Sequence, residues 1–447
     1  MMSSFGRKLL TATIAAALAG GTAAAQLLPP LPLPQVNLPV GNVPVVGEVA
    51  QPVTQQLLSD TQTQQVVYQP LNYVGGLPDR IADAGQATLL DLRRLRHREL
   101  LREHRRELES DGQGQPVRRG VVIVADPDEV SLQMAVRAGF RIAADERVDE
   151  LGIRTVHLAV PRGMSARDAL RRLRQAAPRL QADFDHIFEP AGGALLPVAG
   201  TLAAAQGPAG GRKIGIIDGG VASHPSLAAA AIEQRGFAGN PQPTGHGTAV
   251  ASLIVGQHGA FAGAARGSSL LVADVYGGNR AAGSASTLVR ALGWLSAHRP
   301  SVVNVSLVGP QNAVVARAIQ AVRARGIHVV AAVGNDGPAA PPQYPASYPG
   351  VIAITAVDAG GRALPEAGRS AHLDFAAPGS DMAAALPGEG YARVRGTSFA
   401  APLAAARLAA AGSPQRLAAE ARPGKGRVGR GIVCGDCRVA PRAVGAK

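Results

Sequence analysis

The sequence is poor in aromatic residues and in cysteine. Phe, Trp and Tyr make up 3% of its 447 residues, and there are two cysteines. Base-stacking platforms need aromatics, so the formal charge of +13 is not read as a nucleic-acid surface. No recognisable nucleic-acid module accompanies it either. Two cysteines exclude a disulfide-dense scaffold and a Cys-rich metal site. The pair stands as Cys434-x-x-Cys437, and in an oxidising compartment it is expected to close a small local bridge. No apolar run reaches the length that spans a bilayer, and the Ala-rich stretch 400–411 reads as a buried helix.

An export signal is present. Arg7 and Lys8 precede an apolar run from Leu9 to Leu18, and Ala23-Ala24-Ala25 follows as a cleavage site. Residues 1–25 are therefore expected to be a signal peptide and the mature chain to be periplasmic or extracellular. A Pro- and Gln-rich arm with a basic helix fills 26–116. Pro29, Pro30, Pro32 and Pro34 favour extended backbone. Leu89, Leu92 and Leu95 are expected on one face of a helix over 88–108.

Residues 117–190 alternate in the order β-α-β-β-α-β, the pattern of a ferredoxin-like unit. Strands are expected at Val121–Val124, Phe140–Ala144, Thr155–Val160 and Phe184–Phe188. The helices fall at Asp128–Ala138 and from the Ser165 cap to Ala176. Residues 191–211 are rich in Gly, Ala and Pro and read as an exposed linker. From 212 to 433, short apolar strands alternate with Ala-rich helices. The strands are Ile214–Ile217, Ser269–Val275, Val302–Ser306, His328–Val333 and Val351–Ala356. Gly247–Val255, Ser284–His298 and Gln311–Arg325 are the helices. That alternation predicts a parallel sheet covered on both faces by helices, with reactive groups at the carboxyl ends of its strands. Residues 434–447 form a tail.

Three local sequences carry chemistry. Ile216-Ile217-Asp218-Gly219-Gly220 ends a buried strand on an acid. Gly245-His246-Gly247-Thr248 sets a histidine between glycines at a helix start. Gly396-Thr397-Ser398-Phe399-Ala400-Ala401-Pro402 puts a serine at the positive end of a small-residue helix. Each has an ordinary structural explanation by itself, a helix N-cap in the case of the serine. Together they supply an orienting acid, a base and a nucleophile. An α/β-hydrolase would want a G-x-S-x-G elbow, and Ser398 lies in none.

The order Asp, His, Ser, with these flanking residues, resembles the subtilisin-like serine peptidases. The resemblance covers about half the chain, 212–433. It implies a three-layer α/β fold and a Ser398 acyl-enzyme, with His246 as general acid and base and Asp218 orienting it. By the same resemblance Asn335, in Val333-Gly334-Asn335-Asp336-Gly337, lines the oxyanion hole. Ser306, Leu307, Val308 and Gly309 would pair with the substrate strand, and Ala331, Ala332, Val333 and Gly334 would form the opposite wall of an apolar P1 pocket. Phe375–Gly379 and Gly429–Val433 are further marks.

Gly219 departs from the family's usual Thr or Ser after the acid, which leaves the surroundings of Asp218 open. No cofactor is implied. No acidic loop for the family's structural calcium stands out, and metal binding is left open. The β-α-β-β-α-β unit resembles the family's propeptide. The partners expected are peptide or protein substrates and the chain's own N-terminal domain as intramolecular inhibitor and chaperone, released through 191–211. The competing expectation is a catalytically silent binding or secretion-accessory protein on the same fold.

Overall fold

The structure, a computed structural model, describes residues 86–192, 194–198, 211–388 and 390–444. The stretch expected to be a signal peptide and most of the expected Pro-rich arm lie outside the described residues. Among the described residues, no helix is long and apolar enough to cross a membrane.

The chain enters as α1 (Gln86–Glu103), then β1 (Leu108–Ser110) and β2 (Pro116–Ala125). There follow α2 (Glu129–Arg137), β3 (Arg141–Val148), β4 (Ile153–Ala159), α3 (Ala166–Ala176) and β5 (Gln181–His186). Asp128 and Ser165 cap α2 and α3, as their sequence positions suggest. β2 lies between β4 and the pair β1/β5, and β3 forms the far edge, all antiparallel. One face of this sheet buries Leu132, Leu170 and Leu173 from its own two helices. The other places Ile123, Val148 and Ile153 in the core of the second sheet's helices.

Those helices belong to the larger layer. Short strands β6 (Glu189–Pro190) and β7 (Ala194–Val198) lead to β8 (Lys213–Asp218) and β9 (Ile232–Gly236). Helix α4 (Gly245–Val255) and the small hairpin β10 (Gln257–His258) and β11 (Phe261–Ala262) precede β12 (Ser269–Asp274). Then come α5 (Ala285–His298), β13 (Val302–Val305), β14 (Leu307–Val308), α6 (Ala313–Ala324), β15 (His328–Ala332) and β16 (Ile352–Val357). β17 (Phe375–Pro378), β18 (Met382–Ala385), β19 (Tyr391–Arg395), α7 (Thr397–Ala411) and α8 (Pro414–Ala419) complete the order. Seven strands form one parallel sheet in the order β17-β16-β15-β13-β8-β12-β9. β8 has β13 on one side and β12 on the other, so chain direction around the sheet reverses there. That is where an open α/β sheet offers a crevice.

The two faces hold separate cores. Ala332, Ile354 and the alanines of α7 fill one; Ala331, Val333, Leu292 and Ile319 fill the other. Helix α7 is buried along nearly its whole length, which explains its small residues: they let it lie close against the strands. The tail is joined to β18, since the Ala383 N–H reaches the Val439 carbonyl at 2.8 Å, and its two cysteines are disulfide-bonded to each other.

Two readings change. The α1 face does not follow its leucines: Leu95 is 52% exposed, whereas Arg93 and His97 are buried beside Leu89 and Leu100. Charged partners elsewhere in the fold, rather than an apolar stripe, set the orientation of this helix. The segment after Pro190 is not an exposed linker throughout. Ala191 is buried, and Ala194–Val198 pairs antiparallel with Tyr391–Arg395. Composition missed this because main-chain pairing needs no apolar periodicity.

Candidate active site

Asp218 is the last residue of β8 and is 1% exposed. His246 is the second residue of α4, whose N-cap Thr244 accepts a hydrogen bond from the Gly247 N–H at 2.9 Å. Its Nδ1 lies 2.9 Å from both carboxylate oxygens of Asp218. The carboxylate also accepts the Gly219 N–H at 2.7 Å. A Cβ at Gly219 would come within 2.6 Å of Thr244 side-chain atoms. Glycine therefore stands there because the Thr244 cap of the histidine's own helix occupies the space. The histidine's other nitrogen, Nε2, is buried and has no hydrogen-bond partner among the described residues. The imidazole packs against Phe399, ring centroids 5.3 Å apart, next to Ser398.

Ser398 is the second residue of α7 and not its N-cap. The cap is Gly396, which offers no side-chain bond. The Gly396 N–H reaches the Gly379 carbonyl at 2.7 Å, so the end of β17 fixes the approach to the helix. The Thr397 N–H goes to Asn335 Oδ1 at 3.0 Å, and Thr397 Oγ1 accepts the Gly334 N–H at 3.1 Å. The first of these bonds holds the Asn335 amide by its oxygen and leaves Nδ2 to find other acceptors. Nδ2 donates to the carbonyls of Ala191 and Gly192, each at 2.7 Å. The Ser398 hydroxyl donates to the Gly192 carbonyl at 2.6 Å. The nucleophile candidate is thus hydrogen-bonded to a peptide carbonyl of this same chain rather than to His246.

That peptide lies across the site as a strand. Glu189 and Pro190 pair antiparallel with Val308 and Leu307, and the Ala191 N–H reaches the Ser306 carbonyl at 2.8 Å. Past Gly192, β7 pairs with β19. Of the pocket residues expected from the sequence, Ser306, Leu307 and Val308 meet the strand through their backbone. Gly309 pairs with Tyr344 instead and abuts Phe188. Ala331, Ala332 and Val333 are fully buried in the sheet cores. Gly334 joins Thr397.

Charge surrounds this strand. Arg93 and Arg96 of α1 reach the two oxygens of Asp336, the residue after Asn335, at 3.2 and 2.8 Å. His97 Nε2 is 3.2 Å from Glu189 Oε2, and Arg280 lies 3.8 Å from Oε1. Burial opposes ionisation of Glu189, but the His97 hydrogen bond and the charges of His97, Arg96 and Arg280 outweigh it and hold the carboxyl well below its ordinary range. These groups were missed in the sequence, where a basic helix gave no hint of its partners. No cluster of ligands able to hold a metal occurs among the described residues.

On this α/β fold an acid ends β8, and a histidine and a serine stand in the first turns of α4 and α7, the setting of the class expected from the sequence, a serine peptidase. The chain matches the model of the subtilase family over residues 209–418. It is 33% identical over 197 residues to Subtilisin Savinase of Lederbergia lenta, covering 43% of this chain and 72% of that one. It is 29% identical over 213 residues to the Major intracellular serine protease of Bacillus subtilis (strain 168), covering 44% and 67%. In fold it is similar to fervidolysin from Fervidobacterium pennivorans, with a TM-score of 0.59, 19% identity and coverage of 72% and 61%. The chain belongs to the subtilase family, and it is a serine endopeptidase.

Proposed function

We propose that Ser398, His246, Asp218 and Asn335 carry the peptidase reaction, and that the first peptide they cut is the chain's own, at the bond that follows the Gly192 carbonyl. The observation that carries this reading is the shared carbonyl: Gly192 O receives both the Ser398 hydroxyl and the Asn335 amide. Such donors favour a developing oxyanion, where they act with little reorganisation.

Asp218 holds Nδ1–H of His246 and so leaves Nε2 as the basic nitrogen. The serine hydroxyl turns from the carbonyl oxygen to Nε2 and gives up its proton as Oγ bonds to the carbonyl carbon. The oxyanion so formed takes the Asn335 amide and the Ser398 backbone N–H. His246 passes the proton to the departing amine as the peptide bond breaks, leaving an acyl-enzyme. Water, deprotonated by the same histidine, then releases the acid.

Residues 117–190 act in this reading as chaperone and inhibitor. Asp185 accepts the Ser286 N–H and hydroxyl, both at 2.9 Å, at the start of α5. Asp183 accepts the Ala313 N–H at 2.8 Å at the start of α6. Carboxylates at helix N-termini stabilise them, so this sheet supports two helices of a parallel-sheet core that pairs distant segments and is slow to assemble. Helix α1 adds its pairs to Asp336 and Glu189. Export, with removal of 1–25, accords with the charged and apolar pattern at the N-terminus and with the bonded cysteines.

A fluorophosphonate probe tests the assignment. It should label the processed wild-type chain at Ser398 and leave Ser398→Ala unlabelled; a processed chain that resists labelling is a silent scaffold. Sequencing of the processed protein should begin at Gly193. A start at Gln26 alone would mean that the front half is permanent.

A further inference from the structure

Helix α7 contains a proline six residues in, Pro402. A proline has no N–H and cannot donate to the carbonyl four residues back. That carbonyl belongs to Ser398. The helix therefore leaves the backbone oxygen of the nucleophile-bearing residue without its usual donor, in a fully buried place. A buried carbonyl without a partner is costly.

A side chain from another strand reaches it. The Ser306 hydroxyl lies 2.9 Å from the Ser398 carbonyl, and Asn304 Nδ2 donates to the Ser306 oxygen at 2.9 Å. An amide N–H can only donate. The Ser306 oxygen thus accepts from Asn304 and must turn its own hydrogen to Ser398. Asn304, Ser306 and Ser398 are all 0% exposed, so water does not compete. The backbone of Ser306 meanwhile accepts the Ala191 N–H of the bound strand.

We infer that Ser306 is a positioning residue for the nucleophile: its hydroxyl replaces the helix hydrogen bond that Pro402 removes, and it fixes the first turn of α7 relative to the strand that holds the peptide. The inference rests on Ser398 being the nucleophile. Its consequence is specific. The hydroxyl matters only while position 402 lacks an N–H, so Ser306 and Pro402 are energetically coupled.

A double-mutant cycle reads this coupling. On processed enzyme with one peptide substrate, Ser306→Ala should lower kcat at least tenfold and leave KM within twofold, because the backbone contact to substrate persists. Pro402→Ala restores the N–H. In that background the Ser306→Ala loss should shrink below twofold. An equal loss in both backgrounds, or no loss in the single variant, overturns the inference. Ser306→Thr and Ser306→Val provide a second comparison that does not depend on Pro402→Ala folding. They share one shape, and Thr should retain at least fivefold more kcat; equal values also overturn it. Fluorophosphonate labelling of the wild type separates the two levels. If wild-type Ser398 is never labelled, the nucleophile assignment is at fault. If it is labelled but the cycle is additive, the Ser306 role is.

Discussion

The two sheets meet their surroundings by different mixtures of forces. The parallel sheet is closed around α7 by apolar burial: alanines at 0% exposure pack on strands of Val, Ile and Ala. The N-terminal region combines two kinds of contact. Its Ile123, Val148 and Ile153 enter the core of the second sheet's helices, while Arg93 and Arg96 reach Asp336, and Asp183 and Asp185 reach helix ends. Arg96 is the more exposed of the two arginines and its pair the more open to screening by salt. The difference teaches where solution conditions can act, on the polar contacts more than on the shared apolar core.

The comparison can be broken outright at the cleft. Ser398→Ala should lose turnover by on the order of 10⁶-fold, a size carried over from subtilisin itself. The N-terminal region should then stay attached; a cut after Gly192 in that variant would show that another protease makes it. Asn335→Ala should cost roughly 10²–10³ in kcat, again the size known for such a donor in this family. A loss under about tenfold would place the oxyanion elsewhere.

Two milder perturbations sharpen the contrast. Leu173→Ala opens the small N-terminal core and should destabilise it by about 2–5 kcal/mol. The yield of processed enzyme should drop while the melting temperature of what is recovered stays the same. A shifted melting temperature would mean that the two regions are one permanent unit. Arg93→Ala with Arg96→Ala should hasten release of the cleaved N-terminal fragment by roughly tenfold, about 1.4 kcal/mol. The effect should fade as salt rises, and a salt-independent rate would refute an electrostatic attachment.

Acid should loosen the N-terminal region itself. Against the cost of its burial, the Glu189 carboxyl is held below its ordinary value of 4.5 by His97 and Arg96, which lie on its own side of the cut, and less by Arg280 across it. A depressed carboxyl contributes folding free energy above that ordinary value, and the contribution is lost as pH falls toward the folded one. The urea resistance of the uncut Ser398→Ala chain should therefore be steady near pH 6 and decline below about pH 4.5. Glu189→Gln should flatten that decline.

Much of this architecture was legible in the sequence. Strands such as Ile214–Ile217 and Val302–Ser306 announce themselves as short apolar runs, and both sheets follow from the order of their elements. Asp218, His246 and Ser398 were readable because glycines and a small-residue helix mark their settings. The strand Ile232–Gly236 was not, since its side chains are largely solvent-facing at the sheet edge. Nor were the partners of Arg96 and His97, which lie up to 240 residues away. Ser306 was read as part of the substrate-pairing strand, and its backbone does meet the strand in the cleft. That its hydroxyl also reaches the Ser398 carbonyl, left without its usual donor by Pro402, becomes visible once both are placed in space.

The strand that crosses the cleft is covalently part of the molecule that would cut it. Gly192 takes a positive φ of 76° there, and a side chain on it would come within 3.5 Å of Asn335 Nδ2. On the proposed reading, maturation of such a precursor runs on a molecular clock with no dependence on encounters. Diluting it roughly a hundredfold leaves the half-time unchanged, because the effective concentration of the cut site is set by the tether.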